Sequence, residues 1–392
     1  MATDRRRRFL INAAAGLAVA ARLPSAPAAG AANPAGGKIA GAIGCEPSGV
    51  TAPEAAFAAT WEQAGRHRVG VLAVGRAGVA VASCQEVPSR AHGLAVEPQG
   101  TILLVARRPG DWLLRFDPRR GAVTHWDWSE GEHVYNGHVI RSGDGRRLFT
   151  TETSLATGEG SIGVRDARSL ALLERWPTGG IDPHELVLGP GGVLWVANGG
   201  IETRPETGRT KHHLERMDSS LVRLDAGSGR RTDLWRLDDR RLGLRHLAVA
   251  ADGTIGVALQ ADHDDDQARQ AAPVLALWDR RRGLRAVSLP PGVALAGYGG
   301  SIAACGGEVA VSCPRAGMVV RWQLQEGTAR WRSPVLLPQA CPMAAGWAGG
   351  VGAIVQARAG EDGPPRRLPL DDALRLDNHW ALIDGRVVAG LA

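Results

Sequence analysis

HELVLGPGGVLWVAN (184–198), followed by LVRLDAGSG (221–229) and TDLWRL (232–237), decides the fold. The first segment is two apolar-alternating strands joined by a Gly-Pro-Gly-Gly turn, the pattern of an antiparallel hairpin. The second is another strand that ends in Asp and a short turn closing on Gly; the third is a fourth short strand. Four antiparallel strands in about 55 residues is one unit, and the unit recurs. LLRFDPRRG (113–121) and LALWDRRRG (275–283) repeat the strand–Asp–turn–Gly segment, IGVRDARSL (162–170) repeats it with Leu in the place of Gly, and VVRWQLQEG (319–327) is a weaker copy with Gln for Asp. The Asp positions 117, 166, 225 and 279 lie 49, 59 and 54 residues apart. Hairpins precede these copies at 92–106, 138–151, 184–198, 246–260 and 301–313, and two more follow at 343–356 and 379–390.

A sheet of four short strands cannot bury both faces alone and must stack on its neighbours, as the blades of a β-propeller do. The expected fold is all-β. It is a seven-bladed β-propeller of four antiparallel strands per blade over residues 66–392, with innermost strands starting near 92, 138, 184, 246, 300, 343 and 379. The last hairpin runs out of chain after two strands, and RVGVLAV (68–74) and GVAVASC (78–84) are left over at the other end. Pairing these with 379–390 closes the last blade with N- and C-terminal strands and leaves no open edge. The one helical candidate after the N-terminal segment is 53–64. Residues 199–219 form an insertion loop.

Residues 1–28 read as a twin-arginine signal peptide: Arg6-Arg7-Arg8-Phe9-Leu10, then a mildly apolar stretch from Ile11 to Ala21, then small residues with Ala26-Pro27-Ala28 as a cleavage site. Residues 29–65 are a lead segment. The expected location is the periplasm. Arg5 to Arg8 and Arg22 against Asp4 hold four of the six net positive charges, so the mature chain carries +2 and offers no electrostatic case for nucleic acid. It also has no apolar run long enough to span a membrane. Of five cysteines, Cys305 and Cys313 fall on adjacent expected strands and are the best disulfide pair, with buried free thiols as the alternative.

Histidine is scarce, 11 in 392, yet His92, His138, His184, His246 and His379 share one position at the start of an innermost strand. In propeller geometry that position faces one mouth of the axial channel. Glu152, Asn198 and Arg245, with Glu185 beside His184, are expected nearby as supporting groups. Imidazole is a common ligand for transition metals, so His92, His138, His184 and His246 are candidate ligands for iron, copper or zinc. The residues leave a second reading open, in which a Gly-His pair before the inner strand is a structural hydrogen-bonding device. His212 and His213 read as a solvated loop, and Asp264 to Asp266 as a solvated acidic turn. There is no P-loop, G-x-S-x-G, H-E-x-x-H or C-x-x-C-H, which argues against a nucleotide enzyme, serine hydrolase, zincin or c-type cytochrome.

ARRPGDWLLRFDPRRG (106–121), YNGHVIRSGDGRRLFTTE (135–152), GIDPHELVL (180–188), VANGGIETRPETGRTK (196–211), MDSSLVRLD (217–225) and RHLAVAADG (245–253) resemble the domain-of-unknown-function 1513 family of exported bacterial propellers. By that match His138, His184, Glu185, Asn198, Arg245 and His246 are shared polar positions. Gly137-His138-Val139 departs from a Gly-His-Gly pattern, and Lys211-His212-His213-Leu214 from an Asn-containing one. The resemblance implies a twin-arginine signal, a WD40-like fold, and a place beside imelysin-like or cytochrome-like partners of periplasmic iron uptake. The function expected is an accessory protein of metal, chiefly iron, acquisition that binds metal or a metal-bearing partner at the His-lined face. The alternative is a metal-dependent oxidoreductase or lactonase-type hydrolase with its site in the channel. Adjacent strand residues point to opposite faces, so Glu185 and His184 reach one metal only if the strand bends near Pro183.

Overall fold

The computed structural model describes residues 55–383, apart from 76–77, 130, 209, 326–327, 339–340, 345–346, 350–351, 356–365 and 371–372. The twin-arginine segment and the expected strand within 386–390 lie outside the described residues. The described strands form a β-propeller of antiparallel sheets in sequence order. Five sheets have four strands each, spanning 91–128, 133–181, 183–235, 242–286 and 301–336. Their inner strands are Ala91–Val96, His133–Arg141, Pro183–Gly189, Leu242–Val249 and Ser301–Cys305.

Seven blades were expected, and the described strands form six. The four strands of 343–369 and a run made of Arg375–Ile383, Ala55–Gln63, Arg66–Gly75 and Gly78–Val87 are one eight-stranded sheet. A single parallel pairing, Met343 with His379, joins them. The physical reason is that neighbouring inner strands run the same way round the axis, and the short strand Met343–Ala344 comes within pairing distance of the next.

The closure also differs from expectation. Ala55–Gln63 is a strand rather than a helix, and it stands between the two segments expected to pair directly. It bonds to Arg375–Ile383 on one side (Ala58↔Ala381) and to Arg66–Gly75 on the other (Ala59↔Gly70). Three N-terminal strands and one C-terminal strand therefore make the joint, and Ala55–Gln63, ahead of residue 66, is part of the same sheet. Phe57 stacks on Trp380 across this joint with ring centroids 4.6 Å apart.

The recurring Asp is a turn device. Asp166 Oδ1 accepts from the backbone N–H groups of Arg168 (3.0 Å) and Ser169 (2.8 Å), and Asp225 Oδ1 from Gly227 (3.2 Å) and Ser228 (2.8 Å). Asp279 does the same with Arg281 and Arg282, both at 2.9 Å, and Asp117 accepts from Arg119 at 3.0 Å. A short carboxylate bonding its own backbone two or three residues on is what fixes such turns. Gly121, Gly229 and Gly283, which close three of them, take positive φ.

Apolar clusters fill the spaces between sheets. Leu242, Leu244, Val257 and Leu259 of one sheet pack with Trp195, Ala197 and Leu221 of the sheet before it. Cys305 and Cys313 are free thiols, so of the two readings left open the unpaired one holds, with Cys313 buried and Cys305 exposed. Their strands are neighbours, but the register sets Cys305 opposite Glu308 at the hairpin and Cys313 at the far end. Cys84 is disulfide-bonded. Among the described residues no helix is long and apolar enough to cross a membrane.

Candidate functional site: an axial histidine cluster

Each inner strand that carries a channel histidine breaks its pairing with the next strand at that residue. The 91–96 strand slips between Ala91 and Leu94, leaving His92 and Gly93 out of register. The same occurs between Tyr135 and Val139, Pro183 and Leu186, and Leu244 and Leu247. On the last inner strand Leu376 pairs with Trp61 and Trp380 with Ala59, so Asp377, Asn378 and His379 face Thr60 alone. A β-bulge kinks a strand and re-aims its side chains. This answers the objection from strand alternation: His184 and Glu185 both lie within the bulge, and both reach the axis.

The five imidazoles meet there. Ring centroids are 4.9 Å apart for His92–His138, 5.1 Å for His138–His184, 4.7 Å for His184–His246, 4.6 Å for His246–His379 and 4.7 Å for His92–His379. Candidate donor atoms of His92, His138 and His184 lie within 4.8 Å of one another, as do those of His92, His246 and His379, and of His138, Glu185 and His246. His92, His138, His184 and His246 are buried, and His379 is half-buried. The histidines thus line the inside of the channel, where a position at its mouth was expected. Close approach needs glycine: a Cβ on Gly137, which has φ +98°, would come within 2.9 Å of the His92 ring.

Burial keeps these rings neutral. Desolvation, reinforced by neighbouring imidazoles and by Arg107, holds His92 well below the usual histidine range. It holds His184 there too, with His246, His138, Arg108 and Arg245 adding to it. His138 is lowered by burial against the opposing pull of Glu185. His246 and His379 are both pushed down to about 3, burial leading in each case. A neutral imidazole is the form that donates to a metal. Both ring nitrogens of His92, Nε2 of His138 and His379, and Nδ1 of His184 are buried without a protein hydrogen-bond partner. A purely structural histidine would be satisfied within its own blade; these are not.

Glu185 is the carboxylate of the cluster. It lies 3.1 Å from His246 Nδ1 and 3.7 Å from His138 Nδ1, and it accepts from the Leu247 N–H at 2.9 Å. A cavity of about 140 Å³ opens beside it, lined in part by His138, His379, Ser301 and Met343.

Above the rings lies a charged rim. Asp182 pairs with Arg245 at 2.5 Å and with Arg108; Asp377 pairs with Arg90 at 2.5 Å and Arg107 at 3.5 Å; Lys211 pairs with Asp262. Asp182 holds a left-handed φ of +56° immediately before Pro183, a strained backbone secured by its two arginines. Sequence reasoning missed Asp182 and Asp377. The signal was present: Asp182-Pro183-His184 and Asp377-Asn378-His379 are one Asp-x-His pattern at one blade position.

Of the expected supporting residues, Glu185, Arg245 and His379 join the site. Asn198 is buried on its flank, donating to Ser220 Oγ at 3.1 Å. Glu152 does not join. Although burial alone would raise its pKa, Arg165 and Arg175, each at 2.8 Å, and Thr150 hold it low, and its carboxylate serves a network on the sheet face. His212 and His213 are occupied locally, by Thr207 at 2.8 Å and Glu215 at 3.3 Å. Asp265 caps the short helix Asp266–Ala271, and Asp264 pairs with Arg241.

Residues 85–383 match the family model described as a protein of unknown function, DUF1513. No curated protein matches the chain in sequence. Among solved structures it is similar to the hydrazine synthase of Kuenenia stuttgartiensis, at 14% identity and a TM-score of 0.52 over 77% of this chain and 93% of that one. It is also similar to the periplasmic gluconolactonase PpgL of Pseudomonas aeruginosa (16%, 0.46, 70% and 78%) and to the Pan2 WD40 domain of Neurospora crassa (13%, 0.41, 62% and 68%). At such identities the likeness is one of fold.

Proposed function

This chain belongs to the DUF1513 family, and we propose that it is an exported accessory protein of metal acquisition that holds one first-row transition metal ion within the axial histidine cluster. The observation that carries the reading is the convergence of five imidazoles on one axis, four of them with buried, unpartnered nitrogens. Isolating neutral nitrogen donors from every hydrogen-bond partner costs stability unless something occupies them. Imidazoles with one carboxylate suit iron, copper or zinc. Iron is the metal favoured by the proposed setting, with imelysin-like or cytochrome-like proteins as partners.

The test is metal content and affinity. Protein purified from the periplasm is expected to carry about one metal ion per chain. His184→Ala and His246→Ala are each expected to weaken binding by about 100-fold or more, as loss of a ligand exceeds the effect of losing an outer-shell group. Their metal-free melting temperatures are expected to change little. Binding unchanged in both variants would sink the proposal.

A second reading, a metal-dependent hydrolase or oxidoreductase, is favoured by the cavity beside Glu185, which leaves room for a small molecule next to a candidate base. If it holds, metal-loaded protein turns over a lactone or a reducing substrate and Glu185→Gln abolishes turnover while retaining metal.

The export route proposed is the twin-arginine pathway. Replacing Arg6 and Arg7 by Lys is expected to abolish appearance in the periplasm with synthesis unchanged. Export surviving in a strain lacking that pathway would overturn this.

A further inference from the structure

The acids of the channel rim are already engaged: Asp182 by Arg108 and Arg245, Asp377 by Arg90 and Arg107, Asp262 by Lys211. Arg245 stands out among the cations. It is 1% exposed, its Nη1 donates to Asp182 at 2.5 Å, and its Nε and Nη2 are buried with no protein partner. Two parallel N–H groups of a guanidinium form a fork that fits two oxygens of one anion. A buried guanidinium with three of its five donors unused is costly in a protein that never fills them.

Arg245 lies within the same bulge as His246. Its ion partner Asp182 directly precedes the neighbouring inner strand Pro183–Gly189, and Arg108, which shares that carboxylate, belongs to the 91–128 sheet. Its charge acts on both His184 and His246. A metal dication entering among neutral imidazoles adds positive charge beside a carboxylate, Asp182, that already serves two guanidiniums, with Glu185 alone as a nearby carboxylate of the cluster.

Resting on the metal-binding reading, we propose that a small oxyanion, either a carboxylate or an inorganic oxyanion, docks on the Nε–Nη2 edge of Arg245 and serves as a co-ligand of the histidine-held metal. Metal and anion then bind with positive coupling, because each neutralises the other's site. The channel takes up its metal together with an anion rather than as the bare aquo ion.

The test uses the full mature chain, metal-free, titrated with zinc at buffered free-metal concentrations in carbonate-free, non-coordinating buffer. The titration is repeated with sodium oxalate, bicarbonate or phosphate at millimolar levels, and calorimetry follows each anion alone. One of these anions is expected to raise zinc affinity about tenfold or more, the scale of a charge-assisted fork, and the gain is expected to vanish in Arg245→Gln. Enhancement by oxalate alone assigns a carboxylate, and by phosphate or bicarbonate alone an inorganic oxyanion. Should Arg245→Gln fail to fold, Arg245→Lys keeps the charge without the fork and is expected to lose most of the gain. Zinc binding indifferent to all three anions, or a gain undiminished in the folded variant, overturns the anion site and leaves the metal reading intact. Anion binding through Arg245 with no metal binding overturns the metal reading and leaves the anion site. Binding of neither overturns both.

Discussion

Lowering the pH from 7 to 5 is expected to strip several kcal/mol from the metal-free fold. A histidine in an unfolded chain titrates near 6.5, whereas burial drives His246 and His379 down to about 3 in the folded protein. The unfolded state therefore takes up protons that the folded state refuses. Stability is fully present above about pH 6.5 and falls as pH drops from there toward 3. Each such group contributes a slope of about 1.4 kcal/mol per pH unit within that window. His246 and His379 alone remove roughly 4 kcal/mol between pH 7 and 5. His92, His138 and His184, lowered for the same reason, add in the same direction. Against a total stability on the order of 5–15 kcal/mol, acid unfolding is expected well above the carboxylate range. Urea denaturation at pH 7, 6 and 5 measures it directly, and His379→Gln is expected to lower the slope by about one proton's worth. A stability that stays flat from pH 7 to 5 would mean that the rings are hydrated and not held neutral by burial.

How the site could be seen in advance follows from which features are local. The Asp turns are made by residues two and three apart, so their repetition is visible in sequence and dates each blade. The histidines recur at one blade position, which propeller geometry turns into one place in space. What decides that Glu185 joins His184 is a bulge, and a bulge depends on register against the next strand, which one strand's sequence does not display. Ala55–Gln63 misled for a related reason. AAFAATWEQ spaces Phe57 and Trp61 four apart among alanines, a helical signature, and it lacks strand alternation because both its faces are covered. Glu152 misled because its place at the end of a strand says nothing of Arg165 and Arg175, which claim it from the adjoining strand and the one beyond.

Removing residues 375–392 is expected to abolish cooperative folding of the whole propeller. The strand Arg375–Ile383 is the joint of the ring: it pairs with Ala55–Gln63 along one edge and touches Met343 along the other. Without it, the apolar edge of the first strand is bared, and Ala56, Phe57 and Ala58, all fully buried, lose their cover. Asp377 goes too, which leaves Arg90 and Arg107 without that partner. In a ring of sheets each buries its faces on its neighbours, so an open joint weakens both adjoining blades and the loss spreads. A point substitution separates packing from covalent closure. Trp380, buried and stacked on Phe57, is expected to cost about 3–5 kcal/mol when replaced by Ala. The comparison is thermal melting of the three chains in the metal-free form at pH 7.5. The truncated chain is expected to show no cooperative transition, and the Trp380→Ala chain one at clearly lower temperature. A truncated chain that melts within a few degrees of the intact one would show that the ring needs no C-terminal strand, and that His379 reaches the axis as a passenger on a dispensable segment.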